Sequence, residues 1–219
     1  MSLIAIGDIH GCLKTFDRLW EQLDPSTDDR IVFVGDYIDR GPRSREVVDR
    51  MLEIQQTHDC VFLRGNHEQF MIDFLDGGGI HLWNQNGGLA TLRSYGGNHT
   101  GARIPDAHVA FVRATKIYHE TDDFFFVHAG LKPNLTIEEN KRRFDGDTFL
   151  WERSHIRANQ LAWEKPVVCG HTPRPAPINR DKLIAIDTGC VYHMHPGLGR
   201  LTAVYLPERE FVTVDYADG

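Results

Sequence analysis

The sequence predicts an α/β fold in which two mixed β-sheets lie between outer helices. In the first third of the chain, short apolar runs alternate with segments whose apolar residues recur every three or four positions. That pattern is typical of buried strands alternating with amphipathic helices. After residue 180, apolar runs follow one another without a helical pattern between them, which indicates antiparallel strands.

The first three predicted strands, at residues 3–6, 31–34 and 61–63, are apolar runs that stop at or beside a glycine. Helical patterns at residues 13–23 and 47–54 connect them. A strand, a helix and a second strand in succession form a right-handed crossover, which makes the two strands parallel. We therefore expect the chain to begin with a parallel sheet.

The middle of the chain is less regular. Residues 67–115 form a helical pattern that is broken by glycines. The runs at residues 116–119 and 123–127 surround a polar turn and predict a hairpin. Residues 131–147 are polar and are predicted to be irregular, and residues 163–169 lead into another strand.

The last third predicts the second sheet. The runs at residues 183–187, 201–205 and 211–216 are expected to be its largely antiparallel strands. The sequence contains no internal repeat and no linker, so we expect one domain over residues 1–219.

Composition excludes several classes of protein. Of the 219 residues, 41% are hydrophobic and 25% charged, which is ordinary for a globular protein and excludes a disordered or collagen-like chain. The net charge of −7 provides no overall attraction for nucleic acid or an anionic membrane. We find no apolar run that could span a bilayer and no secretion signal. The four cysteines lack metal-type spacing, so we expect free thiols in a cytoplasmic protein.

Five of the strand-like runs end in turns that carry metal-binding side chains. The turns are GDIHG at residues 7–11, GDYIDRG at 35–41, GNHE at 65–68, HAG at 128–130 and GHT at 170–172. Loops at the carboxyl ends of neighbouring strands converge in α/β sheets, so these side chains should lie together. Carboxylates, an amide oxygen and imidazoles suit two Mn, Fe or Zn ions better than Ca or Mg.

These motifs resemble the signature of the phosphoprotein phosphatase family of dinuclear metallophosphoesterases. More narrowly, the chain resembles the short bacterial and phage serine/threonine phosphatases of the lambda phosphatase type. GNHEQFMI, the Trp151-Glu152-Arg153 run and residues 186–189 match that group, and the resemblance extends from residue 4 to about residue 204. It implies a metallophosphatase αβ sandwich, the calcineurin-like phosphoesterase fold, with the metal site at the loop edge.

The resemblance also implies a set of metal ligands and a mechanism. Two divalent metal ions are expected, with manganese as the first choice and iron or zinc as alternatives. A water shared by the two ions would lose its proton and attack phosphorus directly. The implied ligands are Asp8 and His10 for the first metal, Asp36 as the bridge, and Asn66, His128 and His171 for the second.

Four further residues are matched to catalytic or substrate-binding roles. His67 is implied as the general acid that protonates the leaving oxygen, and Asp39 as the carboxylate that orients it. Arg40 and Arg153 are matched to arginines that bind phosphate, together with the metal ligand Asn66. For Asp39, capping a helix or pairing with an arginine is the alternative.

Two carboxylates near the motifs are interpreted as supporting residues. Glu68 is expected to be structural, with an arginine as its partner. Asp187 is expected to support a metal-binding histidine. The eight other histidines are expected to be structural or on the surface, with a site role for His193 and His195 as the alternative.

The predicted activity is that of a serine/threonine protein phosphatase acting on phosphorylated proteins, peptides or small phosphoesters. The alternative is a diadenosine tetraphosphate hydrolase, a sister group with the same metal motifs. Those enzymes more often resemble GNHD and commonly lack the Asp-Arg pair, so Glu68 and the Asp39-Arg40 pair favour the phosphatase. The acidic charge disfavours a nuclease. The complete set of implied ligands disfavours a binding module without activity.

Overall fold

The described part of the chain, residues 2–144 and 146–219 of a computed structural model, contains two five-stranded sheets. The strands are β1 (Leu3–Ile6), β2 (Arg30–Phe33), β3 (Asp59–Phe62), β4 (Tyr118–Glu120), β5 (Phe125–Val127), β6 (Val167–Cys169), β7 (Ile178–Arg180), β8 (Leu183–Ala185), β9 (Arg200–Leu206) and β10 (Glu210–Asp215). The helices are α1 (Leu13–Leu23), α2 (Ser44–Ile54), α3 (Asn66–Leu75), α4 (Ile80–Gln85), α5 (Gly88–Ser94), α6 (Asp106–Ala114), α7 (Ile137–Arg143) and α8 (Gly146–Trp151).

The first sheet has the strand order β10-β9-β1-β2-β3. Strands β1, β2 and β3 are parallel, as predicted, with Ile4 opposite Ile31 and Val32 opposite Val61. Strand β9 lies antiparallel to β1, and β10 lies antiparallel to β9. The assignment of these last two strands to the second sheet was therefore wrong. An alternating pattern predicts a strand but does not identify the strand it pairs with.

The second sheet has the order β4-β5-β6-β8-β7. Its centre is parallel, because β5 pairs with β6 and β6 with β8 in that sense. The predicted hairpin is confirmed as the antiparallel pair β4 and β5. Strand β7 was not predicted, and it forms the other antiparallel edge. The sheet is thus mixed rather than largely antiparallel.

Residues 131–147 are not wholly irregular, because helix α7 lies within them. Its first turn is a capping box: the Thr136 hydroxyl accepts from the Glu139 N–H, and the Glu139 carboxylate accepts from the Thr136 N–H. Threonine followed three positions later by glutamate is a recognised signal for a helix start. The sequence therefore contained the information that this prediction missed.

The central strands of both sheets are buried on both faces. Along β1, Ile4 and Ile6 contact the apolar cluster that contains α1 and α2, whereas Ala5 faces the second sheet. Along β5, Phe126 faces the first sheet and Phe125 packs on the outer helices. Successive side chains of a strand point to opposite faces, so each sheet contributes one face to the central layer and one to its helices. The predicted α/β sandwich is confirmed.

All four cysteines have free thiols. Among the described residues, no helix combines the length and apolar character needed to cross a membrane.

Candidate metal centre

The five turns predicted to carry metal ligands converge at one edge of the sandwich. Asp36, which follows β2, places its carboxylate oxygens 3.4 Å from His10 Nε2 and 3.4 Å from His128 Nε2. His128 Nε2 lies 3.2 Å from His171 Nδ1, and Asn66 Oδ1 lies 2.9 Å from the same His171 atom. The structure therefore brings together ligand candidates from both sheets. All six are buried: Asp8, His10, Asp36, Asn66, His128 and His171.

Asp36 belongs to two groups of potential ligands. One contains His10, Asp36 and His67 and the other Asp36, His128 and His171, and within each group the ligand atoms lie within 4.8 Å of one another. Burial opposes ionisation of Asp36, but His128, His67 and His10 lower its pKa below the ordinary value. An ionised carboxylate shared by two clusters is the arrangement expected of a ligand that bridges two cations.

The hydrogen bonding of Asp8 fits a cation at this position. Its Oδ2 accepts from the His171 N–H at 2.9 Å, but its Oδ1 is buried without a hydrogen-bond partner in the described residues. Burial and the nearby carboxylates Asp187 and Asp36 raise the pKa of Asp8 well above its ordinary value. A buried oxygen without a partner is costly, and a bound cation would both satisfy it and favour the ionised form.

Two glycines leave room for these carboxylates. A Cβ at position 65 would lie 2.0 Å from Asp36 Oδ1, and one at position 170 would lie 2.0 Å from Asp8 Oδ1. Both distances are far shorter than a van der Waals contact. Gly65 and Gly170 are therefore required at these turns because the backbone passes directly behind a carboxylate oxygen.

The imidazoles are held in the form that binds metals. Nδ1 of His10 donates to the Ile38 carbonyl and Nδ1 of His128 donates to the Val34 carbonyl, each at 2.9 Å, which leaves both Nε2 atoms facing the cluster. Burial lowers the pKa of both rings, so they are neutral near pH 7. A neutral ring whose second nitrogen is held by the protein is the usual form of a histidine ligand.

His171 presents the opposite nitrogen. Its Nε2 accepts from Arg153 Nε at 2.9 Å, so Nδ1 faces Asn66 and His128. Burial lowers the pKa of His171 to about 2. This ring is therefore also neutral. Because its Nε2 accepts from Arg153, its proton is on Nδ1, which donates to Asn66 Oδ1 at 2.9 Å. Binding a cation through Nδ1 would require the other tautomer and the loss of the hydrogen bond from Arg153.

His67 lies at the edge of the cluster and is bound to Asp39. Its Nδ1 lies 2.7 Å from Asp39 Oδ2, and its Nε2 is buried without a hydrogen-bond partner in the described residues. Burial alone would lower the pKa of His67, but Asp36 and the hydrogen bond to Asp39 raise it above the ordinary value. The ring can therefore carry a proton on Nε2 toward the centre.

Two residues that hold Asp39 were missed in the sequence. Trp83 Nε1 donates to Asp39 Oδ2 at 2.9 Å, and the Thr91 hydroxyl donates to Asp39 Oδ1 at 2.6 Å. Both come from the short helices α4 and α5, more than 40 positions further along the chain. Neither residue belongs to a motif, so only the packing of these helices against the second turn reveals their role.

Arg40 and Arg153 line the same small cavity above the cluster. Arg40 Nη1 lies 2.5 Å from His10 Nε2, and its guanidinium sits 5.4 Å from the centre of the Tyr192 ring. Arg153 donates a hydrogen bond to His171 and so lies beside the ligand group that contains His128 and His171. The cavity has a volume of about 170 Å³. Two guanidinium groups facing one small cavity suit the oxygens of a phosphate group.

Glu68 is structural, but its partners are not the arginine that was expected. Its carboxylate accepts from the backbone N–H groups of Asp36 at 2.8 Å, Tyr37 at 2.9 Å and Gly65 at 2.9 Å. Asp187 lines the cavity and accepts from the Gly189 N–H at 2.8 Å. We expected Asp187 to support a metal-binding histidine. Within the described residues, it forms no hydrogen bond to any of the candidate histidine ligands.

The alternative site role for His193 and His195 finds no support in the described residues. His193 is exposed and stacks on Tyr216 at 3.9 Å, and His195 packs edge-on against Tyr192. Neither ring lines the cavity above the cluster.

The backbone of the site is strained. Left-handed φ angles cost non-glycine residues energy and persist where the surrounding structure imposes them, which is frequent at functional sites. Most of the non-glycine residues in this conformation belong to the cluster or face it. They are His10 (φ 48°), Asp36 (φ 56°), Asp39 (φ 72°), Arg40 (φ 69°) and His171 (φ 65°).

A carboxylate shared by two histidine clusters, beneath a pair of arginines, is suited to cleaving phosphate esters with the help of bound cations. The fold and the site thus define a metal-dependent phosphoesterase, a hydrolase. The chain belongs to the calcineurin-like phosphoesterase family, whose profile matches residues 1–203.

Known relatives align with nearly the whole chain. The bis(5'-nucleosyl)-tetraphosphatase PrpE [asymmetrical] of Anoxybacillus flavithermus is 30% identical over an alignment that covers 95% of this chain and 92% of the relative. The protein of the same name from Bacillus thuringiensis is 28% identical over an alignment that covers 98% of this chain and 94% of the relative. The family match therefore confirms the calcineurin-like metallophosphoesterase part of the resemblance. The named relatives are tetraphosphatases, so the finer resemblance to phosphoprotein phosphatases of the lambda phosphatase type is not supported.

Experimental structures share the fold. A crystal structure described as a candidate diadenosine tetraphosphatase superposes with a TM-score of 0.74 at 22% identity and covers 100% of this chain and 95% of that one. A protein serine/threonine phosphatase from Saccharomyces cerevisiae superposes with a TM-score of 0.70 at 17% identity, covering 100% and 81%. At these identities the likeness concerns the fold alone.

Proposed function

We propose that this protein hydrolyses dinucleoside tetraphosphates asymmetrically, which was the alternative prediction from the sequence. The observation that supports it is the near full-length alignment with relatives that carry this name, at 95–98% coverage of the chain in the two reported above. This proposal replaces the serine/threonine phosphatase as the leading function.

Glu68 and the Asp39-Arg40 pair, which favoured a protein phosphatase in the sequence, do not discriminate between the two substrates in the structure. Glu68 binds backbone N–H groups, and Asp39 is buried behind His67, so neither carboxylate faces the cavity. A residue that does not face the cavity does not select between a peptide and a nucleotide. Arg40 does face the cavity, unlike Glu68 and Asp39, but a phosphate-binding arginine suits both substrates.

We assign the metal ligands as the motifs implied. Asp8 and His10 would hold one divalent cation, Asn66, His128 and His171 would hold the other, and both would share Asp36. We propose manganese, with iron or zinc as alternatives. When bound, the two cations supply activation of water and neutralisation of phosphate charge.

The remaining roles belong to side chains around the cavity. Arg40 and Arg153, with Asn66, bind the oxygens of the phosphate that reacts and hold it over the cluster. Asp39 fixes the ring of His67 so that Nε2 points inward. His67 then transfers its Nε2 proton to the oxygen of the departing group.

A phosphomonoesterase acting on phosphoserine or phosphothreonine is the second candidate. The feature that favours it is the small volume of the cavity, about 170 Å³, with two arginines facing it. That size suits a single terminal phosphate with two negative charges.

Turnover of two substrates by the manganese-reconstituted protein tests the proposal. One is diadenosine tetraphosphate and the other is a phosphoserine/phosphothreonine peptide, and the Asp36→Asn variant serves as the inactive control for both. We expect faster turnover of the dinucleotide, with two unequal nucleotide products on chromatography. A preference for the peptide, or release of two equal nucleotides, would refute it.

A further inference from the structure

A second cavity opens beside the catalytic one. Its volume is about 410 Å³, against about 170 Å³ for the cavity over the metal cluster. Small-molecule sites usually measure about 300–1,000 Å³, and of these two cavities the second falls in that range and can hold a nucleoside. It is lined by Lys132, Asp147, Thr148, Trp151, Glu152 and Arg153.

The two cavities share a wall. Trp151 and Arg153 line both of them, so a ligand whose phosphate lies over the cluster can extend past Arg153 into the larger space. From this continuity we infer that the cavity beside Trp151 binds the base of the substrate nucleotide. The inference rests on the proposed function and specifies where that substrate lies.

Trp151 has the exposure that a base-stacking residue needs. Its side chain is 42% exposed, although large apolar side chains are normally covered. Edge-type contacts hold the indole in place, at 5.5 Å from the Phe70 ring and 5.7 Å from the His171 ring. A fixed and accessible indole at the mouth of a phosphate site favours an aromatic ligand.

The polar residues of the cavity fit a nucleoside rather than an apolar group. Lys132 pairs with Glu152, and the Glu152 carboxylate also accepts from the N–H groups of Arg153 at 3.0 Å and Ser154 at 2.7 Å. These contacts fix the segment that carries Arg153. Exposed Asp147 offers a carboxylate to a ribose hydroxyl or to an amino group of the base.

The aromatic residue on the other side of the catalytic cavity is already engaged. The guanidinium of Arg40 lies over the Tyr192 ring at 5.4 Å. A base stacked on that face would have to displace Arg40 from its place beside His10. The base therefore belongs on the Trp151 side.

Competitive inhibition by a matched pair of ligands tests the inference. AMP and ribose 5-phosphate both carry a 5'-phosphate, and only AMP has a base. We expect AMP to inhibit hydrolysis of p-nitrophenyl phosphate by the manganese-reconstituted protein more strongly than ribose 5-phosphate, by a factor of about 5 or more, because stacking on an aromatic ring contributes roughly 1–3 kcal/mol.

Three variants identify the residue responsible for this ratio. Trp151→Ala should reduce it to about 1, whereas Trp151→Phe should keep most of it, since a smaller ring still stacks. Tyr192→Ala should leave the ratio unchanged. If Trp151 only supports His171, its loss would weaken both ligands equally and leave the ratio intact, which would overturn the inference.

The inference would also be overturned if Tyr192→Ala, rather than Trp151→Ala, reduced the preference for AMP over ribose 5-phosphate to about 1. Equal inhibition of the wild type by the two ligands would overturn it as well. The proposed function is judged separately, from turnover of diadenosine tetraphosphate. A protein that prefers AMP through Trp151 but does not cleave the dinucleotide would keep the base site and lose the proposed substrate.

Discussion

The carboxylate of Glu68 accepts a hydrogen bond from the backbone N–H of Asp36 at 2.8 Å and so joins the first turn of α3 to the turn after β2. The same carboxylate accepts from Tyr37 and Gly65. Because Asp36 is shared by both ligand clusters, this buried side chain holds the central carboxylate of the site without facing the cavity.

Glu68→Asp should lower stability without changing substrate preference. An aspartate is one methylene shorter and cannot reach all three N–H groups, and an unsatisfied buried donor costs about 1–3 kcal/mol. Urea unfolding should reveal a loss of that size. The ratio of dinucleotide to phosphopeptide turnover should match that of the wild type. A change of about tenfold in this ratio of turnover rates would instead mean that the residue at position 68 helps to select the substrate.

His67→Asn should reduce turnover most for substrates with a poor leaving group. General acid catalysis contributes about 10²–10⁴-fold, and an alkoxide needs the proton far more than a phenolate or a nucleotide phosphate does. We therefore expect a loss of roughly 100-fold or more for an alkyl phosphate and a much smaller one for an aryl phosphate. Equal losses would remove His67 from the acid role.

The metal content of this variant provides the control. His67 Nε2 also belongs to a ligand group with His10 and Asp36. Elemental analysis of His67→Asn should find the wild-type amount of metal, because we assign the ring to proton transfer. Loss of one ion per chain would show that it is a ligand instead.

Gly65→Ala should impair metal binding. The added methyl would lie 2.0 Å from Asp36 Oδ1 and against the Asp36 backbone, so the turn must move. We expect a loss of bound metal and a destabilisation of about 1–3 kcal/mol. Gly79→Ala is the matched control, because a Cβ there meets no atom within 4 Å, and its effect should stay within about 0.5 kcal/mol. Equal metal content in the two variants would contradict the steric argument.

His155 should make the protein less stable in mild acid. Burial lowers the pKa of this fully covered imidazole from 6.5 to about 4. Below pH 6.5 the unfolded chain binds a proton at this site that the folded chain rejects, so stability is complete above pH 6.5 and is lost as the pH falls toward 4. The loss attributable to this group is about 3 kcal/mol at most, at about 1.36 kcal/mol for each pKa unit.

Denaturant unfolding of the wild type and His155→Leu at pH 7.5 and pH 5 measures this effect. Other titrating groups are common to both proteins, so the difference between them isolates position 155. The variant should lose less stability than the wild type between the two pH values. An equal loss would mean that His155 does not titrate in this range.

The meeting of the five turns could be predicted from the sequence, whereas the sheet to which two of the strands belong could not. Five turns at the ends of apolar runs were expected to meet, and Asp8, Asp36 and His171 do lie together, because the carboxyl ends of neighbouring strands share an edge. For β9 and β10 the pattern predicted strands but not the correct sheet. Alternation reports which residues are buried, whereas pairing depends on which edge is left open.

By itself, the sequence determined the class of chemistry: the types of candidate ligand, their order along the chain and the turns that carry them are local features. Only the tertiary structure decided how those residues are held and what surrounds them. The contacts of Trp83 and Thr91 with Asp39 join residues 44 and 52 positions apart, and the cavity above the metal cluster is lined by residues as distant in the chain as His10 and Tyr192. Such contacts depend on how complete helices and sheets pack together, and no local pattern of residues encodes that packing.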